Sequence, residues 1–243
     1  MGVGVAYLEA TTSTMDDARA GAAEGRPCGT AYVAGEQSAG RGRQERSWVS
    51  AASAGLYVTY HLCPEWTGGA PLLGLAAAVA AAEAVQAAAG LAVDLKWPND
   101  LQVAGKKLAG ILAEARPRGT SLDVFVGIGI NLHTAAELPL EVAAIATSIE
   151  GAGHPAPPRE VLLAALSSAF DRRATQAEAD PAALVAEWRS RLVTLGQQVR
   201  LATPSGEVEG EAVDVTSAGE LVLALASGER RAFAAGDVTT IRG

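Results

Sequence analysis

Leu95-Lys96-Trp97-Pro98-Asn99-Asp100-Leu101-Gln102-Val103-Ala104-Gly105-Lys106-Lys107-Leu108-Ala109-Gly110-Ile111-Leu112 is the stretch on which the fold turns. Leu91 to Trp97 alternates in the manner of a strand. Leu101 to Val103 and Leu108 to Ala115 are further apolar runs, and Ala104-Gly105 between them is a turn signal, so the pair predicts a β-hairpin. Leu122 to Ile130 is strongly apolar and predicts another strand.

Upstream, Ser13-Thr14-Met15-Asp16 reads as a capping box that starts a helix reaching about Glu24, where Gly25 and Pro27 end it. Thr30 to Glu36 and Gly55 to Leu62 read as strands. The polar, glycine- and arginine-bearing segment from Gln37 to Ser53 reads as a long loop. Pro71 to Ala89 is an alanine-rich apolar run that carries Glu83 and Gln86, and it predicts a buried helix rather than a membrane span. Downstream, helices are predicted over Pro139–Ile149, Arg159–Ala174 and Pro181–Leu195, with a proline- and glycine-rich loop from Gly151 to Pro158. At Gly196 the texture changes. Short β runs alternate with turns at Pro204-Ser205-Gly206, Ser217-Ala218-Gly219 and Ser227-Gly228, which suggests a small barrel.

The expected fold class is α+β: a mixed β-sheet flanked by helices over residues 1–195, then a small β-barrel over residues 196–243. A chain of 243 residues that is 49% hydrophobic supports a real core, although alanine supplies much of it. The net charge of −8 argues against sequence-independent nucleic-acid binding, in which basic charge dominates affinity. Cys28 and Cys63 form no CxxC pair, and neither a disulfide framework nor a zinc motif can be read from them. The N-terminus shows no basic, cleavable leader, so a reducing cytoplasm is expected. His61, His133 and His154 have no metal-ligand spacing and read as packing or surface residues. No GxSxG, GxxxxGK[ST] or HExxH pattern occurs, which leaves a serine hydrolase, a P-loop enzyme or a zinc protease without support.

Three segments carry chemistry. Gln37-Ser38-Ala39-Gly40-Arg41-Gly42-Arg43-Gln44-Glu45-Arg46-Ser47-Trp48 combines arginines, whose donor forks suit phosphate, with glycines and a flat ring. Taken alone it is equally a solvated loop or an RG-type RNA contact. Lys96-Trp97-Pro98-Asn99-Asp100, followed by Lys106-Lys107, places amine, amide and carboxylate at a strand end, where Asp100 could hold Mg²⁺. The same composition also makes an ordinary turn. Gly127-Ile128-Gly129-Ile130-Asn131 puts glycines in a buried strand, which serves close approach of a ligand or simply tight packing. Ser13, Thr14 and Gln37 could hydrogen-bond a neutral, amide-like ring, or merely cap and solvate.

The order of these motifs decides among those readings. SerThr, GlnxxGlyArgGlyArg with ArgxTrp, LysTrpProAsnAsp, LysLeuAlaGlyIleLeu and GlyIleGlyIleAsn together closely resemble biotin–protein ligase, from Ser13 to Asn131. The resemblance implies a class II synthetase-like catalytic domain followed by an SH3-like C-terminal domain. It implies the form without the N-terminal DNA-binding domain, since the chain begins almost at the catalytic domain, and hence no repressor role. It implies ATP-dependent conversion of biotin to biotinyl-5′-AMP, then transfer to a lysine of a biotin carboxyl carrier domain of a carboxylase. By motif match, Lys107, Arg43 and Arg46 would be catalytic. Ser13, Thr14, Gln37, Gly40, Arg41, Gly42, Lys107, Gly110 and Gly129 would hold biotin. Arg43, Arg46, Trp48, Lys96, Asn99 and Asn131 would hold the nucleotide, and Asp100 would hold Mg²⁺. The Gly-Arg loop would fold over the adenylate to exclude water. The resemblance also allows a homodimer through the sheet. Two departures stand out: Met15 replaces the asparagine many members have after SerThr, and Gln44-Glu45 make the loop less basic. The related lipoate or octanoate ligases carry an arginine-rich GlyGly segment ending in His-Asp, and none is found here. An RNA-binding module built on the GRGR loop is disfavoured by the acidic charge and the scarcity of aromatic residues.

Overall fold

The structure, a computed structural model, describes residues 4–66, 69–135, 138–204 and 206–241. Ser205, in one of the turns expected near the C-terminus, lies outside the described residues. A seven-stranded sheet runs in the order β1 (Gly4–Thr11), β2 (Thr30–Gln37), β3 (Gly55–Leu62), β7 (Ser121–Asn131), β6 (Lys106–Arg118), β5 (Asp100–Val103) and β4 (Asp94–Lys96). Among the described residues only the β1–β2 strand pair of this sheet is parallel, so the sheet is mixed as expected. The hairpin forms, and positive φ at both Ala104 (49°) and Gly105 (78°) matches a two-residue turn whose twist suits antiparallel strands. Strand β1 was not foreseen. It lies at the sheet edge and is largely exposed, so it lacks a clean apolar alternation to announce it.

Alternation along β3 and β7 sorts the two faces of the sheet. Val58, Tyr60, Val126, Ile128 and Ile130 enter the main core with helices α2 (Gly69–Ala89) and α4 (Arg159–Ala179), which pack on one face together with α5 (Pro181–Ser190). Thr59, Phe125, Gly127 and Gly129 point to the other face. There α1 (Thr14–Ala23) covers only part of the sheet, through a small cluster of Met15, Ala18, Tyr32 and Phe125. Helix α2 is long and apolar enough to cross a membrane by composition, yet it lies in the core. Each alanine there contributes one methyl group, about 0.8 kcal/mol, but the small side chains let α4 approach closely.

Some expectations need correction. Helix α1 forms, but Ser13 makes no side-chain cap bond, so the capping box is absent. Helix α3 covers only Leu140–Ile145, with no buried residue to extend it. The segment from Gln37 to Ser53 is more ordered than a plain loop: Gln37 bridges Ser50, Arg41 bridges Ser47, and Arg43–Glu45 forms a 3₁₀ turn. The C-terminal unit contains five antiparallel strands, in the order β11 (Arg230–Phe233), β10 (Leu221–Ala224), β9 (Gly206–Val215), β8 (Gln198–Thr203) and β12 (Asp237–Thr240). Among the described residues β11 and β12 do not pair, so hydrogen bonding does not close the barrel. Trp97 Nε1 donates to Gly219 O at 2.9 Å, which ties this unit to the Trp-Pro turn.

Candidate active site

The uncovered part of the sheet face, the Gly-Arg segment and the start of β12 enclose a cavity of about 910 Å³. Lys107, Arg43, Arg46, Trp48, Asp100 and Lys96 line it together, as do Ser13, Thr14, Gln37, Arg41, Gly42, Asn99, Gly110, Gly129 and Asn131. Gly40 does not. It lies behind the cavity wall, where a Cβ would meet Trp48 O at 2.5 Å.

Lys107 Nζ lies 2.7 Å from Asp100 Oδ1 and 5.4 Å from the centroid of the Trp48 ring. The Asp100 contact is a charge contact without hydrogen-bond alignment, so Oδ1 remains buried without a directional donor. The strand register brings the pair together: the irregularity between Leu101 and Gln102 shifts β5 against β6 beside Lys107. Thr147 N donates to Lys107 O at 2.8 Å and fastens a further segment there. Burial lowers the pKa of Arg43, while Asp237 and Asp100 oppose the shift. The guanidinium remains charged, as arginine does throughout the ordinary pH range. Arg46 reaches across to Asp237 of β12, with Nη1–Oδ1 at 3.2 Å, and Arg41 pairs with Asp16 of α1 at 2.6 Å.

The glycine floor is covered. A Cβ on Gly129 would lie 2.6 Å from Trp48 Cε2 and Nε1, and one on Gly110 would lie 3.0 Å from Trp48 Cζ3. The indole therefore occupies the space expected to be left for a ligand, with Nε1 buried and unpartnered.

At the other end of the cavity, Gln37 Oε1 accepts from Thr14 N at 2.9 Å and Thr14 Oγ1 at 3.1 Å, while Gln37 Nε2 donates to Ser50 Oγ at 2.7 Å. Thr14 and Thr59 hydroxyls are 2.9 Å apart. Met15 is buried among Phe125 and Ala18 and would touch a Cβ on Gly127 at 3.1 Å. Asn99 and Asn131 are each held by a backbone carbonyl, of Ile111 at 2.6 Å and of Thr147 at 2.8 Å.

Sequence reasoning missed Thr59, Ser50, Thr147 and Asp237. Thr59 and Ser50 sit in or beside strands with no local motif, and Asp237 comes from a different domain. Only three-dimensional register joins them to the site.

The sequence profile of the biotin/lipoate A/B protein ligase family matches residues 7–131, and that of the biotin protein ligase C-terminal domain matches residues 194–239. The chain is 36% identical over 242 residues to a biotin–[acetyl-CoA-carboxylase] ligase of Mycobacterium tuberculosis, covering 96% of this chain and 87% of that one. It is 32% identical over 241 residues to the bifunctional ligase/repressor BirA of Bacillus subtilis, covering 97% and 74%. A biotin protein ligase from Aquifex aeolicus in complex with biotin and ATP superposes with a TM-score of 0.84 at 26% identity, over 99% of this chain and all of that one.

Proposed function

Because the chain belongs to the biotin/lipoate A/B protein ligase family, we propose that it activates biotin with ATP and attaches it to protein. The carboxylate of biotin attacks the α-phosphorus of ATP, giving biotinyl-5′-AMP and pyrophosphate. A carrier lysine then attacks the mixed anhydride, forming an amide and releasing AMP. The acceptor is the carrier domain of a biotin-dependent carboxylase, in line with the name of the Mycobacterium tuberculosis relative.

One observation carries the site reading: Lys107 and Arg43 share one cavity with Asp100, which touches Lys107 and acts electrostatically on Arg43. Bringing two anions together is opposed by repulsion and desolvation, so catalysis consists of positioning and charge neutralisation. Lys107 bridges the biotin carboxylate and the α-phosphate. Arg43 and Arg46 take the phosphates. Trp48, Asn131, Asn99 and Lys96 surround the nucleotide. Ser13, Thr14, Gln37, Arg41, Gly42 and, through the backbone behind the wall, Gly40 form the polar end that receives the ureido ring. For that end to open, the Thr14–Gln37–Ser50 bonds must exchange for bonds to ligand. Trp48 must leave Gly110 and Gly129 and settle against the nucleotide.

Mg²⁺ fits Asp100, a carboxylate whose Oδ1 is buried in the cavity without a hydrogen bond. When bound there, the ion would neutralise phosphate charge. We take residues 1–195 as the catalytic domain and 196–243 as the C-terminal domain, which contributes Asp237 to the cavity. Consumption of ATP supports a cytoplasmic setting. Exposed Val5 and Tyr7 on edge strand β1 support pairing of two copies through the sheet.

Pyrophosphate release tests the reading. Biotin plus ATP should release pyrophosphate, and a biotin carboxyl carrier domain should gain the mass of one biotinyl group. Turnover of lipoate or octanoate with no turnover of biotin would overturn it.

A further inference from the structure

A second set of polar side chains lies on the same face of the sheet, outside the cavity. Cys28 precedes β2, His61 is in β3 and Cys63 just past its end, and Asp123 is in β7. One ligand-type atom from each of the four lies within 4.8 Å of the others. His61 Nε2 is 2.9 Å from Asp123 Oδ1 and 3.5 Å from Cys63 Sγ, and Cys63 Sγ is 3.4 Å from Asp123 Oδ1. The sulfurs of Cys28 and Cys63 are joined, with their Cα atoms 5.8 Å apart. The sequence showed neither a pair nor a metal motif because the residues are 35 and 60 positions apart. The register of β3 with β7, His61 opposite Phe125, assembles them. His61, expected to be an ordinary packing or surface residue, is 2% exposed, and its Nδ1 is buried without a partner. Phe125 stacks on His61 at 5.1 Å and, with Met15, separates the group from the cavity.

We propose that Cys28, His61, Cys63 and Asp123, with both cysteines reduced, bind one thiophilic divalent ion of the zinc type. A tetrahedral zinc centre spaces sulfur from nitrogen or oxygen by about 3.5 Å and nitrogen from oxygen by about 3.3 Å. Three edges of that tetrahedron are already present at 3.5, 3.4 and 2.9 Å. The fourth corner needs only that the sulfur of Cys28 swing away from that of Cys63, to about 3.8 Å. Two thiolates, a carboxylate and a divalent cation sum to one negative charge. Arg118 balances it, with its Nε 3.0 Å from Asp123 Oδ1. Such outer-shell partners hold ligands in place. Binding replaces two thiol protons, which leave to solvent. The disulfide and the ion are mutually exclusive, and a reducing compartment favours the thiols.

The test uses the full chain, stripped of metal by a chelator and kept in a phosphine reductant. Added Co²⁺ should give a sulfur-to-cobalt charge-transfer band and tetrahedral visible bands that saturate at one equivalent. One equivalent of Zn²⁺ should bleach them and raise the Tm. The double substitution Cys28→Ser with Cys63→Ser should abolish the band and the Tm shift while adenylate formation stays within twofold. Asp123→Asn should weaken binding at least tenfold. Cys28→Ser alone, at a partly exposed position, serves where the double variant does not fold. The proposal is overturned if the reduced chain gives no thiolate band or if the band survives loss of the cysteines. It also fails if the sulfurs remain bonded to each other under reductant, shown by a mass two hydrogens lighter and no titratable thiol.

Discussion

Lys107 Nζ rests 2.7 Å from Asp100 Oδ1, a cation held by a carboxylate inside the cavity where two anionic substrates must meet. The pairing holds the amine inside the cavity until stronger anions compete for it. Lys107→Ala should lower kcat/KM for adenylate formation by about a hundredfold or more, the scale of losing one preorganised charge donor. Both side chains are partly exposed, so stability should fall by no more than about 1 kcal/mol. Pyrophosphate release and thermal melting separate the two effects. A collapse of Tm with normal activity per folded molecule would make Lys107 structural.

Much of this was legible in the sequence because the motifs are local. The hairpin, β3, α2 and the run of glycines in β7 follow from periodicity and turn residues. The loop arginines and Lys107 follow from spaced signatures. What was illegible is what register and domain docking create. β1 is an exposed edge strand, Asp237 reaches the cavity from the C-terminal unit, and Cys28, His61, Cys63 and Asp123 meet only when β3 and β7 pair. The position of Trp48 over the glycines also depends on the fold of the whole Gly-Arg segment.

Gly129→Ala tests whether biotin needs the floor that Trp48 covers in the ligand-free chain. The added Cβ would lie 2.6 Å from the indole, whose rigid ring cannot bend away, so the ring must shift as a body. The KM for biotin should rise at least tenfold with little change in Tm. Tryptophan fluorescence, corrected by a Trp48→Phe control because the chain has four tryptophans, should move toward that of a solvated indole. An unchanged KM would mean that biotin does not use this surface.

Two buried tyrosines set an alkaline limit on stability. Burial pushes the pKa of Tyr57 and of Tyr60 up to about 12 from 10.0. Below pH 10 both phenols are protonated whether the chain is folded or unfolded, and their contribution is complete. Between pH 10 and 12 the unfolded chain releases these protons more readily than the folded one, so folding stability falls. Chemical denaturation of the wild type should weaken across that window. The Tyr57→Phe, Tyr60→Phe double variant should decline less steeply. Parallel curves would assign the decline to other groups.

Arg46 and Asp237 connect the Gly-Arg segment to β12, and the pair is exposed, with 65% and 37% of the side chains accessible. An exposed pair contributes about 1 kcal/mol at most and is screened by salt. Its consequence is therefore kinetic access rather than global stability. Asp237→Asn should leave Tm nearly unchanged and speed tryptic cleavage after Arg41, Arg43 or Arg46 several-fold in the ligand-free chain. Raising the salt concentration should have the same effect on the wild type. With biotin and ATP bound, Arg46 should turn to phosphate and the loop should close by other contacts, so the variant and the wild type should become equally resistant. If ligands fail to protect either chain, the segment does not close over the adenylate, and water must be excluded by another part of the cavity wall.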